Sequence, residues 1–318
     1  MKIYSLVFFF FLLFITSCDS PTHTEVDESG YKSEEVNFAS GELELQGTLY
    51  LPNKITKVPG VVFVNGSGSA DRDGIIRNYP NLIPPIYENW ANIISLNQIA
   101  TFRYDKRFLT YPNIDPIEFS QKDQIDDIVA AILYLKSRAE VDTSKIFIIG
   151  HSEGGNIAPV AAERVSNISG IVIIASPAFA IDTLLIEQLK ANGSISEELI
   201  TQTEDAFLLL RNNQFPSGGH IWGAGESYWS EWIEYTENAG SIALNLMTPI
   251  LIQQGLEDEN YPSTTLQKNI SLWEDVEKQS DIISYKKYEN VTHLILDKDT
   301  QEMSENVIND IIDWVKQH

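Results

Sequence analysis

Residues 145–165 constrain this chain more than any other stretch. Lys145-Ile146-Phe147-Ile148-Ile149 is an apolar run rich in β-branched residues. Gly150-His151-Ser152-Glu153-Gly154 is a tight turn with a glycine at each end, and Asn156 to Val165 carries helical spacing. A buried strand that turns sharply into a helix is the repeating unit of a parallel sheet covered on both faces. Further units flank it. Val61 to Val64, Ile99 to Tyr104, Ile171 to Ile174, Pro249 to Gln253 and Ile282 to Tyr288 read as strands. Glu88 to Gln98, Asp123 to Arg138 and Glu302 to Lys316 place apolar residues at helical intervals. Near the start, Gly41 to Leu51 alternates apolar and polar residues and is expected to form a hairpin turning at Gln46-Gly47. The fold class expected is α/β.

The rhythm breaks between about 177 and 247. Thr183 to Lys190 and Glu197 to Arg211 read as helices, and a Gly- and Trp-rich segment with Trp222, Trp229 and Trp232 follows. No buried strand is visible there, so the segment is expected to be a helical cap over the C-terminal edge of the sheet. Its tryptophans either line a pocket or form the cap's own core.

Gly150 to Gly154 fits the pattern G-x-S-x-G, and its place between strand and helix turns the pattern into a hypothesis. Glycines are needed because the serine sits on a strained turn that lifts its hydroxyl clear of the sheet, at a helix N-terminus that favours negative charge. A serine hydroxyl needs a base to attack. Of the five histidines, His23 lies near the start, His318 ends the chain, His151 adjoins Ser152 and His220 falls in the cap. Only His293, in a loop after a late strand, has the order serine, acid, histidine. The acid falls among Glu257, Asp258 and Glu259, and Asp258 is preferred as the third residue past the strand-ending Gly255. Its role would be to fix the imidazole tautomer and stabilise the imidazolium. The oxyanion hole is assigned to the backbone N–H groups of Ser67 and Glu153. A dinucleotide loop at Gly66-Ser67-Gly68 fails, because Asp71 stands where the third glycine belongs.

These residues together resemble a bacterial α/β-hydrolase esterase family. Its members carry a G-S-G-x-x-D-R-D-G loop, an R-Y-D-K-R segment and a G-H-S-E-G elbow. Here the matching runs are Gly66 to Gly74, Arg103-Tyr104-Asp105-Lys106-Arg107 and Gly150 to Gly154. The resemblance spans residues 36–318, with the cap matching least. It departs from the family pattern at Ser69, where proline is common, and at Phe108, where glycine is usual. It implies an α/β-hydrolase fold and a carboxylesterase acting on small, often short-chain acyl esters. Asp71, Arg72 and Arg107 belong to a charged cluster, with Asp73 and Asp105, that would either bind a polar substrate group or tie two loops together.

The N-terminus carries a different message. Lys2, an unbroken apolar run from Leu6 to Ile15, the small residues Thr16 and Ser17, and then Cys18 have the layout of an export signal over residues 1–17. The run is shorter than the roughly 20 residues a spanning helix needs. Ile15-Thr16-Ser17-Cys18 resembles a lipobox, and Cys18 is the chain's only cysteine, which argues for lipidation and against a disulfide framework. Polar residues 18–35 are expected to be a flexible tether. The expected product is an exported lipoprotein of the bacterial cell envelope, held at a membrane by lipid chains. A formal charge of −23 disfavours nucleic acid as a partner. No metal-ligand pattern or phosphate loop is visible, so no metal or cofactor is expected. Two other readings stay open: a peptidase or thioesterase on the same scaffold, and a tethered binding protein without catalysis.

Overall fold

Isoleucine, valine and phenylalanine dominate the centre of the sheet because both faces are buried. A computed structural model describes residues 30–318 apart from 54–55, 77–78, 80–82 and 217. The expected leader, Cys18 and residues 19–29 lie outside the described residues. In chain order the elements are β1 (Tyr31–Ser40), β2 (Leu43–Pro52), β3 (Val58–Val64), α1 (Ile86–Leu96), β4 (Ala100–Tyr104), α2 (Arg107–Thr110), α3 (Gln121–Ser137), β5 (Val141–His151) and α4 (Glu153–Glu163). There follow β6 (Gly170–Ile174), α5 (Ile181–Ala191), α6 (Glu197–Arg211), α7 (Glu226–Glu237), α8 (Ala239–Asn245), β7 (Ile250–Gly255), α9 (Ser263–Glu277), β8 (Ile283–Tyr288) and α10 (Glu305–Gln317).

The sheet has eight strands in the order β1-β2-β4-β3-β5-β6-β7-β8. β2 runs antiparallel to both its neighbours, and the other pairings are parallel. Within each unbroken apolar run the side chains still alternate. Val62, Val64, Ile146 and Ile148 join the core under α3, α4 and α9, whereas Val61, Phe63, Phe147 and Ile149 join the core under α1 and α10. Strand order reverses beside β3 and β5. A crevice forms at such a point, outside the carboxyl ends of the strands. The loops after β3, β5, β7 and β8 all open at that edge. Helices α5 to α8 occupy the stretch between β6 and β7. Their core is aromatic: Trp229 and Trp232 stack at 5.7 Å, and Phe207 meets Trp229 edge-on. Both tryptophans are buried, so they pack the cap itself and its seam with α4, where Trp232 Nε1 reaches Asn156 Oδ1 at 3.4 Å.

Three sequence expectations change. The first hairpin turns at Gly41-Glu42, not at Gln46-Gly47. Gly47 lies inside β2 because a Cβ there would stand 2.5 Å from Phe102 of β4, so this glycine serves close strand approach. Residues 31–35, assigned to the tether by their polarity, begin β1. Tyr31 stacks on Tyr50 at 4.5 Å, while Glu34 pairs with Arg138 and Glu35 with Arg72. Their charges belong to an edge strand, which has polar surface to fill. Finally, α9 occupies a stretch assigned no element, although Leu266, Ile270, Trp273 and Val276 mark a buried helical face.

Gly47→Val is expected to destabilise the fold by ~1–3 kcal/mol through overpacking against Phe102, read as a lower urea midpoint at unchanged slope. Gly41→Asn, at a position with φ +59° and open space around it, is expected to move the midpoint much less.

Candidate active site

Ser152 follows the last residue of β5 with φ 53° and ψ −121°, a strained conformation for a residue bearing a Cβ. The fold holds it there. Ser152 N donates to Ile174 O at 2.8 Å, and Ser152 O accepts from Gly155 N at 3.0 Å and Ser176 Oγ at 2.7 Å. The turn is close-packed on both sides. A Cβ on Gly150 would stand 2.4 Å from Gly154 O, and one on Gly154 would stand 2.1 Å from Val64 O.

His293 lies in the loop after β8 and Asp258 in the loop after β7. His293 Nδ1 is 3.0 Å from both carboxylate oxygens of Asp258. The acid is buried and receives further donors from Gln254 Nε2 at 2.8 Å and Asn260 N at 3.1 Å. Its neighbours are otherwise engaged. Glu257 makes a surface ion pair with Lys298 at 2.6 Å, and Glu259 accepts from His293 N at 3.0 Å. Among the three acids, the histidine ring therefore bonds Asp258. With the proton on Nδ1 facing the acid, Nε2 keeps its lone pair. Burial opposes charging the ring, but the charge and hydrogen bond of Asp258, with Glu259 adding to them, hold its pKa above the ordinary histidine value. Ser152 Oγ makes no hydrogen bond to His293 among the described contacts. Such bonds often tighten only when substrate binds.

His151 plays a role that adjacency to the serine had hidden. Its ring is buried, 4.8 Å from the His293 ring between centroids. Nε2 meets the main-chain O of His293 at 2.9 Å, and Nδ1 meets the Tyr87 hydroxyl at 2.9 Å. A carbonyl only accepts, so Nε2 carries the proton and Nδ1 accepts from Tyr87. Tyr87 in turn accepts from Gly66 N at 2.9 Å. Burial, reinforced by the neighbouring His293, pushes the His151 pKa down to about 3, so the ring stays neutral.

The loop after β3 lies against the serine. A Cβ on Gly66 would be 3.2 Å from Ser152 Cβ. Ser67 is the next residue, and Glu153 opens α4, where first-turn N–H groups lack intrahelical acceptors. Asp71, Arg72 and Arg107 engage loops and α3 instead. The Asp71 carboxylate accepts from Asp73 N and Ile75 N within its own turn. Arg72 pairs with Glu35 at 3.0 Å and Asp105 at 3.3 Å, joining this loop to β1 and the end of β4. Arg107 belongs to a separate network with Asp123 and Asp127 of α3.

Sequence reasoning missed the residues around the Glu153 side chain. That carboxylate is fully buried. It accepts from Lys106 Nζ at 2.8 Å, Gln121 Nε2 at 2.7 Å, Gln124 Nε2 at 3.2 Å and the cap hydroxyl of Tyr228 at 2.6 Å. Burial raises its pKa, but Lys106, Tyr228 and Gln121 outweigh that and leave it below the ordinary value. A sequence signal existed, an acid directly after the serine together with a lysine in the R-Y-D-K-R segment, though nothing in their spacing pairs them.

The site brings together a serine on a strand-to-helix elbow and a histidine oriented by a buried carboxylate, the parts from which an activated nucleophile is built. The chain belongs to the α/β hydrolase fold family, whose model matches residues 118–296. Its relatives include esterase EstD of Thermotoga maritima, 29% identical over 283 residues, which covers 86% of this chain and 64% of EstD. This chain thus spans less than two thirds of that relative's length. Among solved structures it resembles EstE1, a thermostable carboxylesterase from a metagenomic library, with TM-score 0.60, 15% identity and coverage of 93% of this chain and 90% of EstE1. It also resembles the acylaminoacyl peptidase of Pyrococcus horikoshii, with TM-score 0.59, 13% identity and coverage of 90% and 41%. At such identities the two structures speak for the fold alone.

A base must be neutral to take a proton, so if His293 serves Ser152 as its base, labelling of Ser152 is expected to be lost as pH falls through the raised pKa of His293. The rate of Ser152 labelling by a fluorophosphonate is expected to show its acid limb above pH 6.5, the ordinary histidine value. Asp258→Asn is expected to move that limb to lower pH and to slow the reaction, by on the order of 10⁴ if it behaves as the same change does in a serine triad.

Proposed function

We propose that this protein is a serine hydrolase of carboxylic esters, with Ser152 as nucleophile, His293 as base and Asp258 as the residue that orients it. The observation that carries this reading is the buried Asp258–His293 pair, its imidazole 4.8 Å from the ring of His151, the residue before a serine held at φ 53°. Ser152 Oγ attacks the acyl carbonyl while His293 Nε2 takes its proton. The oxyanion is held by the N–H groups of Ser67 and Glu153. His293 then returns the proton to the leaving alcohol, and water, activated by the same histidine, releases the acid from the acyl-enzyme. The likeness to EstD supports an ester over an amide as substrate. The peptidase and binding readings make other predictions in the same assay.

The test uses p-nitrophenyl esters of two to twelve carbons, with wild type and Ser152→Ala side by side. Serine-dependent turnover that falls with chain length is expected. Activity on aminoacyl amides but on no ester would move the assignment to a peptidase, and a folded protein inert to both substrates and fluorophosphonate would leave only binding.

We also propose that the chain is exported and lipid-anchored through Cys18, on the strength of the leader pattern and the lipobox. Cys18→Ser is expected to move the protein from the membrane fraction to the soluble fraction. A wild-type protein already soluble after export would overturn the anchor.

A further inference from the structure

The main-chain groups of Gly66 are held by the two residues that flank the nucleophile. Its N–H reaches His151 through the Tyr87 hydroxyl. Its carbonyl accepts from Lys106 Nζ at 2.7 Å, and the same ammonium lies 2.8 Å from the Glu153 carboxylate. Lys106 and Glu153 are both buried. Such a pair, once desolvated, keeps a tight geometry because neither charge has water to turn to.

In a trans peptide the C=O and the following N–H point in opposite directions, and no peptide bond among the described residues is cis. A cation that holds the Gly66 carbonyl inward therefore turns the Ser67 N–H away from the buried pair. We infer that Lys106 is a positioning residue of the oxyanion hole: its ammonium, anchored by the Glu153 carboxylate, fixes the Gly66–Ser67 peptide so that the Ser67 N–H faces the reacting carbonyl. The inference deepens the esterase reading and rests on it for its kinetic part. The Glu153 carboxylate belongs to the residue that supplies the other donor N–H, so one ion pair sets the spacing between the two donors. No contact between Lys106 and substrate is involved.

Lys106→Met alone would strand the buried Glu153 charge and risks unfolding. The test variant is therefore Lys106→Met with Glu153→Gln, which removes both charges at similar volume. Its folding is checked by circular dichroism and melting. Two readouts follow. In spectra of protein labelled with ¹⁵N-serine, the Ser67 amide is expected to shift and to exchange faster with solvent than in wild type. On p-nitrophenyl butyrate, kcat is expected to fall about 10²–10³-fold, the loss typical of one oxyanion donor, with KM within about threefold. Affinity for an aryl boronic acid, a mimic of the tetrahedral state, is expected to fall with kcat. Tyr228→Phe removes another donor from Glu153 without touching Gly66 and is expected to lower kcat far less.

An unchanged Ser67 amide in the folded double variant overturns the inference whatever the substrate proves to be. A kcat that falls together with a large rise in KM, at constant boronate affinity, also overturns it. Wild-type hydrolysis that survives Ser152→Ala would instead sink the esterase reading and leave the amide measurement to decide the positioning of Ser67.

Discussion

A carboxylate with no exposed surface, one residue past Ser152, organises much of what surrounds that serine. A buried charge is costly unless donors replace the water it has lost. Glu153 recruits them from the end of β4, from α3 and from the cap helix α7. Each donor ties its own element to the N-terminus of α4. Lys106 extends the tie to the loop after β3, and Tyr228 docks the cap. The elbow is thus the point where sheet, helices and cap are referenced to one another, and its strained serine is tolerated because its surroundings over-determine it.

A second chain, of neutral groups, starts at the N–H of the same Gly66 whose carbonyl Lys106 holds. Gly66 N–H, Tyr87, His151 and the His293 carbonyl follow one another. The two systems differ in kind. The Glu153 system is ionic and reaches outward to the cap. The His151 system is uncharged, because burial keeps that imidazole from taking a proton. A charged His151 beside His293 would repel a second positive charge and make that ring harder to protonate. Keeping it neutral leaves His293 as the titrating imidazole at the site, poised by Asp258.

The parallel strands and the strand-to-helix turn at Ser152 were legible because each rests on a local pattern. Ser152 was readable from five residues between a strand and a helix, and His293 from its place after the last strand. Asp258 was preferred among three adjacent carboxylates by its place three residues past Gly255, and the structure pairs it with the His293 ring. Gly47 misled because a glycine in an alternating run fits either a turn or a close strand crossing, and only the Phe102 ring above it decides. Lys106, Tyr87 and Tyr228 were not legible because their partners lie 47, 64 and 75 residues away in sequence. Such contacts depend on which strands become neighbours, a property of the whole sheet. The fold alone does not choose the bond, since it is shared with solved structures named as a carboxylesterase and as an acylaminoacyl peptidase.

The edge strand β1 has a consequence for orientation. Tyr31 pairs with Pro52, at the end of β2 that lies beside the beginning of β4, so the described chain enters the sheet at the pole opposite Ser152. On the proposed anchoring at Cys18, this pole would be the one nearer the membrane and Ser152 would lie at the far end of the sheet. The proposed ester substrate would then reach the serine from the aqueous side, whereas an acyl chain buried in the bilayer would first have to leave it.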